Sequence, residues 1–279
     1  MINMNTNCAI IIPIYQNILK EHEIISLTRC IEVLGKKYDI IFLKHDEVDI
    51  FKILSTYNIE FNNSYIDYIN YDKTYFNSVT SFNNILIHGN FYNLMESYNK
   101  YKYVLLYELD GFVFYDNLQY WIDKDYDYIG SFSFEMFDNC LDNDTNINFT
   151  NVQNIVLNNL ENNNLNNNYA NHKYHMNGGV SLRKISYFIE ASKYIYGRDI
   201  SANLWEDILF SLYSKINVKF PVPLETFDFC WSYRYSISYN INNFKLPMFL
   251  HYYNYEPFYY NICKKKFNNK IYNNIVEQI

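Results

Sequence analysis

Glycine and proline are scarce in this chain of 279 residues, seven and five in all, and its five cysteines never fall into a C-x-x-C spacing. An odd, scattered set of thiols does not make a disulfide framework or a zinc knuckle, so the fold is expected to stand without crosslinks in a reducing compartment. Long apolar runs are missing too. Tyr, Asn and Lys interrupt every candidate well before the ~20 residues that span a bilayer. The stretch from Cys8 to Ile12 has no basic segment before it and is shorter than the ~7–15 residues of a secretory core. The expectation is a cytoplasmic protein, with peripheral membrane contact assigned to the basic Lys264-Lys265-Lys266 tail. Positive charge is also lacking: 23 Lys and Arg face 30 Asp and Glu, a net charge of -7 that argues against a nucleic-acid partner.

What is abundant is aromatic: 31 tyrosines and 21 phenylalanines. With so much Asn, Ile and Lys beside them they read as the product of AT-rich coding as much as of function, and alone they are no evidence of sugar stacking. The order of the residues says more. Ala9-Ile10-Ile11-Ile12 and Asp39-Ile40-Ile41-Phe42-Leu43 read as buried parallel strands. Between them Ile24, Leu27, Ile31 and Leu34 recur at helical spacing, with Gly35 as the stop. A second helix over Phe91, Leu94, Met95 and Tyr98 leads into the strand Tyr103-Val104-Leu105-Leu106-Tyr107. This β-α-β beginning predicts one α/β domain over 1–279 with a central, mostly parallel sheet. An Asn-rich insertion at about 139–171 is expected to be a mobile cover.

In open α/β sheets ligands gather outside the carboxyl ends of the strands. Glu108-Leu109-Asp110 follows such an end, and residues two apart on a strand share a face, so both carboxylates can address one divalent ion; the same pair also reads as a solvated turn. His251, after the apolar Leu246-Pro247-Met248-Phe249-Leu250, is a nitrogen ligand for that ion or a structural core histidine. Asn177-Gly178-Gly179, placed before a helix capped by Ser181, reads as a turn or as a tight backbone whose free amides approach a sugar or phosphate. Glu206 and Asp207 fall in the first turn of a helix starting near Asn203. There they complement the helix dipole, with Glu206 able to cap Asn203, or one of them acts as a general base.

Taken in order, these blocks resemble a glycosyltransferase-like family with the glycosyltransferase A fold, similar in motif order to family 2 transferases. The marks are Ile10-Ile11-Ile12-Pro13-Ile14-Tyr15, Tyr107-Glu108-Leu109-Asp110-Gly111-Phe112-Val113-Phe114, Tyr126-Asp127-Tyr128-Ile129-Gly130, Asn177-Gly178-Gly179-Val180-Ser181-Leu182-Arg183, Trp205-Glu206-Asp207 and Leu246 to His251. The resemblance implies a Rossmann-like sheet and transfer of a sugar from a nucleotide-diphosphate donor, UDP-linked by analogy, to the hydroxyl of a glycan or other acceptor. It places Pro13 and Tyr15 beside the base, with Glu108, Asn177, Gly178, Gly179 and Arg183 also on the donor. Asp110 and His251 would hold Mn2+ or Mg2+, and Asp207, with Glu206 beside it, would be the catalytic base of an inverting transfer. A retaining course stays open. Two other readings remain: a nucleotide-sugar hydrolase, and a non-catalytic carbohydrate-binding protein that stacks sugars on Tyr252, Tyr253, Tyr255 and Tyr259.

Overall fold

The structure, a computed structural model, describes residues 7–61, 65–133, 176–196, 205–212 and 218–276. The Asn-rich stretch at 139–171, Gly197 and Asn203 lie outside them. Strands β1 (Cys8–Pro13), β2 (Asp39–Lys44) and β3 (Ile66–Asn70) come first, with helices α1 (Glu21–Val33) and α2 (Ile50–Thr56) between them. A 3₁₀ turn over Lys73–Phe76, helices α3 (Val79–Ile87) and α4 (Asn90–Ser97), and strands β4 (Tyr103–Tyr107) and β5 (Phe112–Val113) follow. Next come α5 (Leu118–Asp123), β6 (Tyr128–Phe132), β7 (Met176–Lys184), α6 (Ile185–Tyr196) and α7 (Glu206–Leu212). The chain closes with α8 (Pro223–Phe229), β8 (Cys230–Ser232), α9 (Tyr235–Ile241), β9 (Phe249–His251) and α10 (Pro257–Val276).

The expected sheet is present, with strand order β3-β2-β1-β4-β7-β6. The first four strands run parallel, and β7 runs antiparallel to both β4 and β6. Covering both faces explains the uninterrupted apolar runs: all six residues of β1 and all five of β4 are buried. Alternation then sorts them. Ala9, Ile11, Val104 and Leu106 join the core packed with Phe91, Tyr92, Phe188 and Phe210 from α4, α6 and α7. Cys8, Ile10, Ile12, Leu105 and Tyr107 join the core with Leu27, Cys30 and Ile31 of α1.

Two readings of the sequence change here. Asn177-Gly178-Gly179 is not a turn before a capped helix; it lies inside β7, which runs on to Lys184 before α6 begins at Ile185. The chain also builds a second sheet, β5-β9-β8, that short runs of two or three residues did not announce. Its pairing places the functional residues: after the turn at Gly111, Phe112 pairs with Leu250 and Val113 with Phe249, which returns His251 to the carboxyl end of β4. In the basic tail, Lys264 pairs with Glu21 at 2.6 Å and Lys266 lies over the Phe114 ring. Among the described residues no helix is long and apolar enough to cross a membrane.

Candidate functional site

The carboxyl ends of β1 and β4 and the start of β7 open into a cavity of ≈ 570 Å³. Its lining includes Pro13, Tyr15, Lys20 and Glu23 from the end of β1 to the start of α1, Phe82 and Asn83 of α3, Trp205, and Glu108, Asp110, Gly178 and Gly179. Asp110 sits in a turn closed by Gly111 N–H donating to the Glu108 carbonyl (2.9 Å), and its own carbonyl accepts from Tyr253 N–H (3.2 Å). Glu108 N–H donates to the Gly179 carbonyl (2.9 Å), so the acidic turn is stitched to β7.

At the floor, His251 Nε2 lies 3.1 Å from Asp110 Oδ1 and 3.5 Å from Glu108 Oε2. Ligand atoms of all three residues fall within 4.8 Å of one another. Although close, neither Nε2 nor Asp110 Oδ1 is aligned with a hydrogen-bond partner, and both are shut off from solvent. Buried polar atoms without an aligned partner cost about 1–3 kcal/mol each, and the two carboxylates and the imidazole make up a donor set of the kind that would hold a cation. The surroundings agree. A Cβ on Gly179 would stand 2.2 Å from His251 Nε2 and 2.6 Å from Glu108 Oε2, so only glycine leaves this space open. The imidazole is clamped from its other face by Tyr252, whose ring stacks on it at 3.7 Å between centroids, with Tyr233 stacked on Tyr252 at 4.6 Å. Both tyrosines hold left-handed backbone, φ 61° and 58°, a strained conformation of the kind that gathers at functional sites.

Burial alone would lower the His251 imidazole, but the carboxylates of Asp110 and Glu108 outweigh it and raise it to about 9. Burial would raise Asp110, and the positive imidazole wins again, holding that carboxyl below its ordinary value. Without a cation, a proton on His251 therefore balances the carboxylates.

Beneath the β7 wall lies a second charged cluster. Arg183, fully buried, donates through Nη2 to Glu206 Oε1 (2.7 Å) and through Nη1 to Glu206 Oε2 (3.1 Å). The guanidinium also donates to the Gly178 carbonyl (2.9 Å), the Tyr92 hydroxyl (2.8 Å) and Ser181 Oγ (2.8 Å). Burial pushes the Glu206 carboxyl up, to about 7, against the pull of the guanidinium. Next to it, Asp207 lines the cavity and accepts from Gly178 N–H at Oδ2 (3.2 Å) and from Ile208 N–H at Oδ1 (2.8 Å). Burial raises the Asp207 carboxyl, with those two amides opposing it.

Most residues singled out in the sequence therefore meet in one place: Pro13, Tyr15, Glu108, Asp110, Asn177, Gly178, Gly179, Glu206 and Asp207 line the cavity, and His251 lies behind its floor. Arg183 is the correction. Its guanidinium is consumed by Glu206 and reaches no cavity surface, so it holds the wall rather than a donor, and it occupies both oxygens of Glu206. The glycine amides expected to be free are also taken, Gly178 N–H by Asp207 and Gly179 N–H by Asn177 Oδ1 (3.1 Å). Of the four tyrosines offered as a stacking surface, Tyr253 and Tyr259 are buried, and only Tyr252 and Tyr255 reach the cavity. Asn83 and the Tyr252 clamp were missed. Asn83 has no sequence signal beyond helical spacing with Val79 and Phe82.

The family described as "Protein of unknown function (DUF5672)" matches residues 65–251. No curated protein matches the chain. Similar solved structures include core-mannan synthase A from Aspergillus fumigatus in a Mn/GDP form, at 12% identity over 74% of this chain and 68% of that one, TM-score 0.47. The mannosyltransferase Ktr4p from S. cerevisiae with GDP aligns at 14% identity over 80% and 68%, TM-score 0.47. The galactosyltransferase LgtC with donor and acceptor sugar analogs aligns at 11% identity over 88% and 86%, TM-score 0.47.

Two outcomes follow from the charges. Since a cation must displace the His251 proton, Mn2+ affinity measured by calorimetry between pH 6.5 and 8.5 should rise about tenfold per pH unit and flatten above pH ~9; a pH-independent affinity would contradict the cluster. Arg183→Met, which strands Glu206 in the interior, should cost about 3–5 kcal/mol in denaturant unfolding, and adding Glu206→Gln should recover much of it. Equal losses in the single and double variants would mean that the ion pair is not what holds this wall.

Proposed function

The chain belongs to the DUF5672 family, and we propose that this member is a divalent-cation-dependent glycosyltransferase of the glycosyltransferase A type, using a nucleotide-diphosphate sugar. The observation that carries the reading is the convergence of Glu108, Asp110 and His251, with unpaired buried atoms, in the same cavity as Asp207. These three residues would hold the ion. A mixed oxygen and imidazole set suits Mn2+ better than Mg2+, which favours oxygen ligands alone. Bound there, the cation supplies the positive charge against which a diphosphate leaves.

The rest is the work of the chain. Pro13 and the half-exposed Tyr15 at the end of β1 offer an edge and a ring for the base, and Lys20 is the single lysine or arginine lining the cavity among the described residues. Gly178 and Gly179 contribute room rather than amides: a Cβ on Gly178 would meet Glu206 Oε1 at 2.4 Å. Asp207 is the general base. In this transfer the acceptor hydroxyl oxygen forms a bond to the anomeric carbon, the bond from that carbon to the diphosphate oxygen breaks, and the hydroxyl proton passes to the Asp207 carboxylate. A carboxyl raised by burial is a better proton acceptor than an ordinary one. A single displacement of this kind, with Asp207 as base and no covalent intermediate, inverts the anomeric centre.

Asp110→Asn should abolish Mn2+-dependent release of nucleoside diphosphate from a nucleotide-sugar panel. Asp207→Asn should keep donor binding while lowering turnover ~10²–10⁴-fold, the usual contribution of a positioned base. Full turnover by either folded variant, or undiminished turnover in excess chelator, would overturn the assignment.

A further inference from the structure

The cavity has two unlike sides. Its basic groups, Lys20 and His22, lie at the start of α1, beside the end of β1. Elsewhere in the lining, α3 turns Val79, Phe82 and Asn83 to the cavity, positions three and four apart that share a helix face, and α3 packs against α7. No lysine, arginine or histidine lines this second side among the described residues.

Asn83 is the anomaly. It is 8% exposed, lines the cavity, and makes no side-chain hydrogen bond among the described residues. Its primary amide carries two donors and an acceptor, which no group among the described residues occupies and which stay open to the cavity. Nearby polar groups of the same wall are already committed: Glu206 to Arg183, Asp207 to two backbone amides. Asn83 shares the cavity lining with Phe82 and Trp205, and its amide both donates and accepts where the Trp205 indole only donates; the Ser78 hydroxyl already caps α3 through Ser81 N–H.

We propose that the space between α3 and α7 is the subsite for the transferred sugar, that it takes an uncharged, hydroxyl-bearing ring, and that Asn83 reads one of its hydroxyls. This rests on the function proposed above. A hydroxyl both donates and accepts, and so does the amide; the rings of Phe82 and Trp205 supply flat apolar faces for the C–H side of a pyranose. Charge decides against an anionic sugar. Glu206 in this wall is already neutralised by Arg183, while Asp207 remains as an anion. The one lysine of the cavity lining among the described residues, Lys20, lies at the start of α1, so a uronate carboxylate here would meet the Asp207 charge with no free cation beside it. The diphosphate belongs beside Lys20 and the floor cluster, which sets the sugar pointing toward Asn83 and brings its anomeric carbon near Asp207.

The test is calorimetric binding, with Mn2+, of UDP, GDP, UDP-glucose, UDP-galactose, GDP-mannose and UDP-glucuronate to the full chain and to Asn83→Ala. The wild type should bind at least one neutral-sugar conjugate more tightly than its parent diphosphate, and UDP-glucuronate no more tightly than UDP. Asn83→Ala should weaken the favoured conjugate roughly 2- to 12-fold, the range of one neutral hydrogen bond, while the bare diphosphate keeps its affinity. Since Asn83 bonds to nothing in the fold, the variant should melt where the wild type does, and Asn83→Gln provides a second folded variant with a displaced amide. Equal weakening of conjugate and bare diphosphate, no change in either, or a preference for the glucuronate would overturn the sugar subsite while leaving the nucleotide reading intact. Failure of the wild type to bind any of the diphosphates would instead remove the proposed function, and this inference with it.

Discussion

Two adjacent glycines in β7 set the geometry on which the rest of the site depends. At Gly179 a single added carbon would overlap the His251 ring and the Glu108 carboxylate, and at Gly178 it would overlap Glu206 and the Arg183 guanidinium. Above this stretch of backbone the carboxylates and imidazole converge; beneath it lies the buried ion pair. Their hydrogen bonds confirm the shared pivot, since the Gly178 peptide donates to Asp207 and accepts from Arg183, while the Gly179 carbonyl accepts from Glu108 N–H. In a chain with seven glycines, placing two of them side by side within a buried strand sacrifices packing for proximity.

Charge gives the arrangement its direction. Glu23, Glu108, Asp110, Glu206 and Asp207 all line one cavity, and the cations that answer them differ in kind. Glu206 has a permanent partner in Arg183 and belongs to the framework. Asp110 and Glu108 have only the His251 proton, an exchangeable charge that a metal can replace. That difference separates a carboxylate that holds the wall from those that bind, and adjacency in the Trp205-Glu206-Asp207 triplet conceals it.

The main sheet was legible because buried parallel strands leave long apolar runs, and β1, β2 and β4 fall where Ala9 to Ile12, Asp39 to Leu43 and Tyr103 to Tyr107 indicated. The acidic turn and His251 were legible for a related reason: strand ends are where an α/β sheet exposes chemistry. Arg183 was not. Its role depends on a partner brought to it by α7 rather than by its own β7, and nothing in Val180-Ser181-Leu182-Arg183 separates an arginine facing a ligand from one folded under a strand. The glycine pair misled for a local reason, since Gly-Gly is a turn signal unless close approach demands it in a strand. The strand-like run from Leu246 to His251 does hold β9, but its pairing with β5 and β8 escaped because runs of two or three residues show no period.

Direct observation of the metal's first ligands would test the central claim that Glu108, Asp110 and His251 form one cation site. Pulsed electron paramagnetic resonance of the Mn2+-loaded chain, grown with ¹⁵N-labelled histidine, reports the nitrogen bound to the ion. The account predicts coupling to a single imidazole nitrogen that vanishes in His251→Ala while the protein stays folded. A bound Mn2+ showing no histidine coupling, or coupling that survives that substitution, would contradict it.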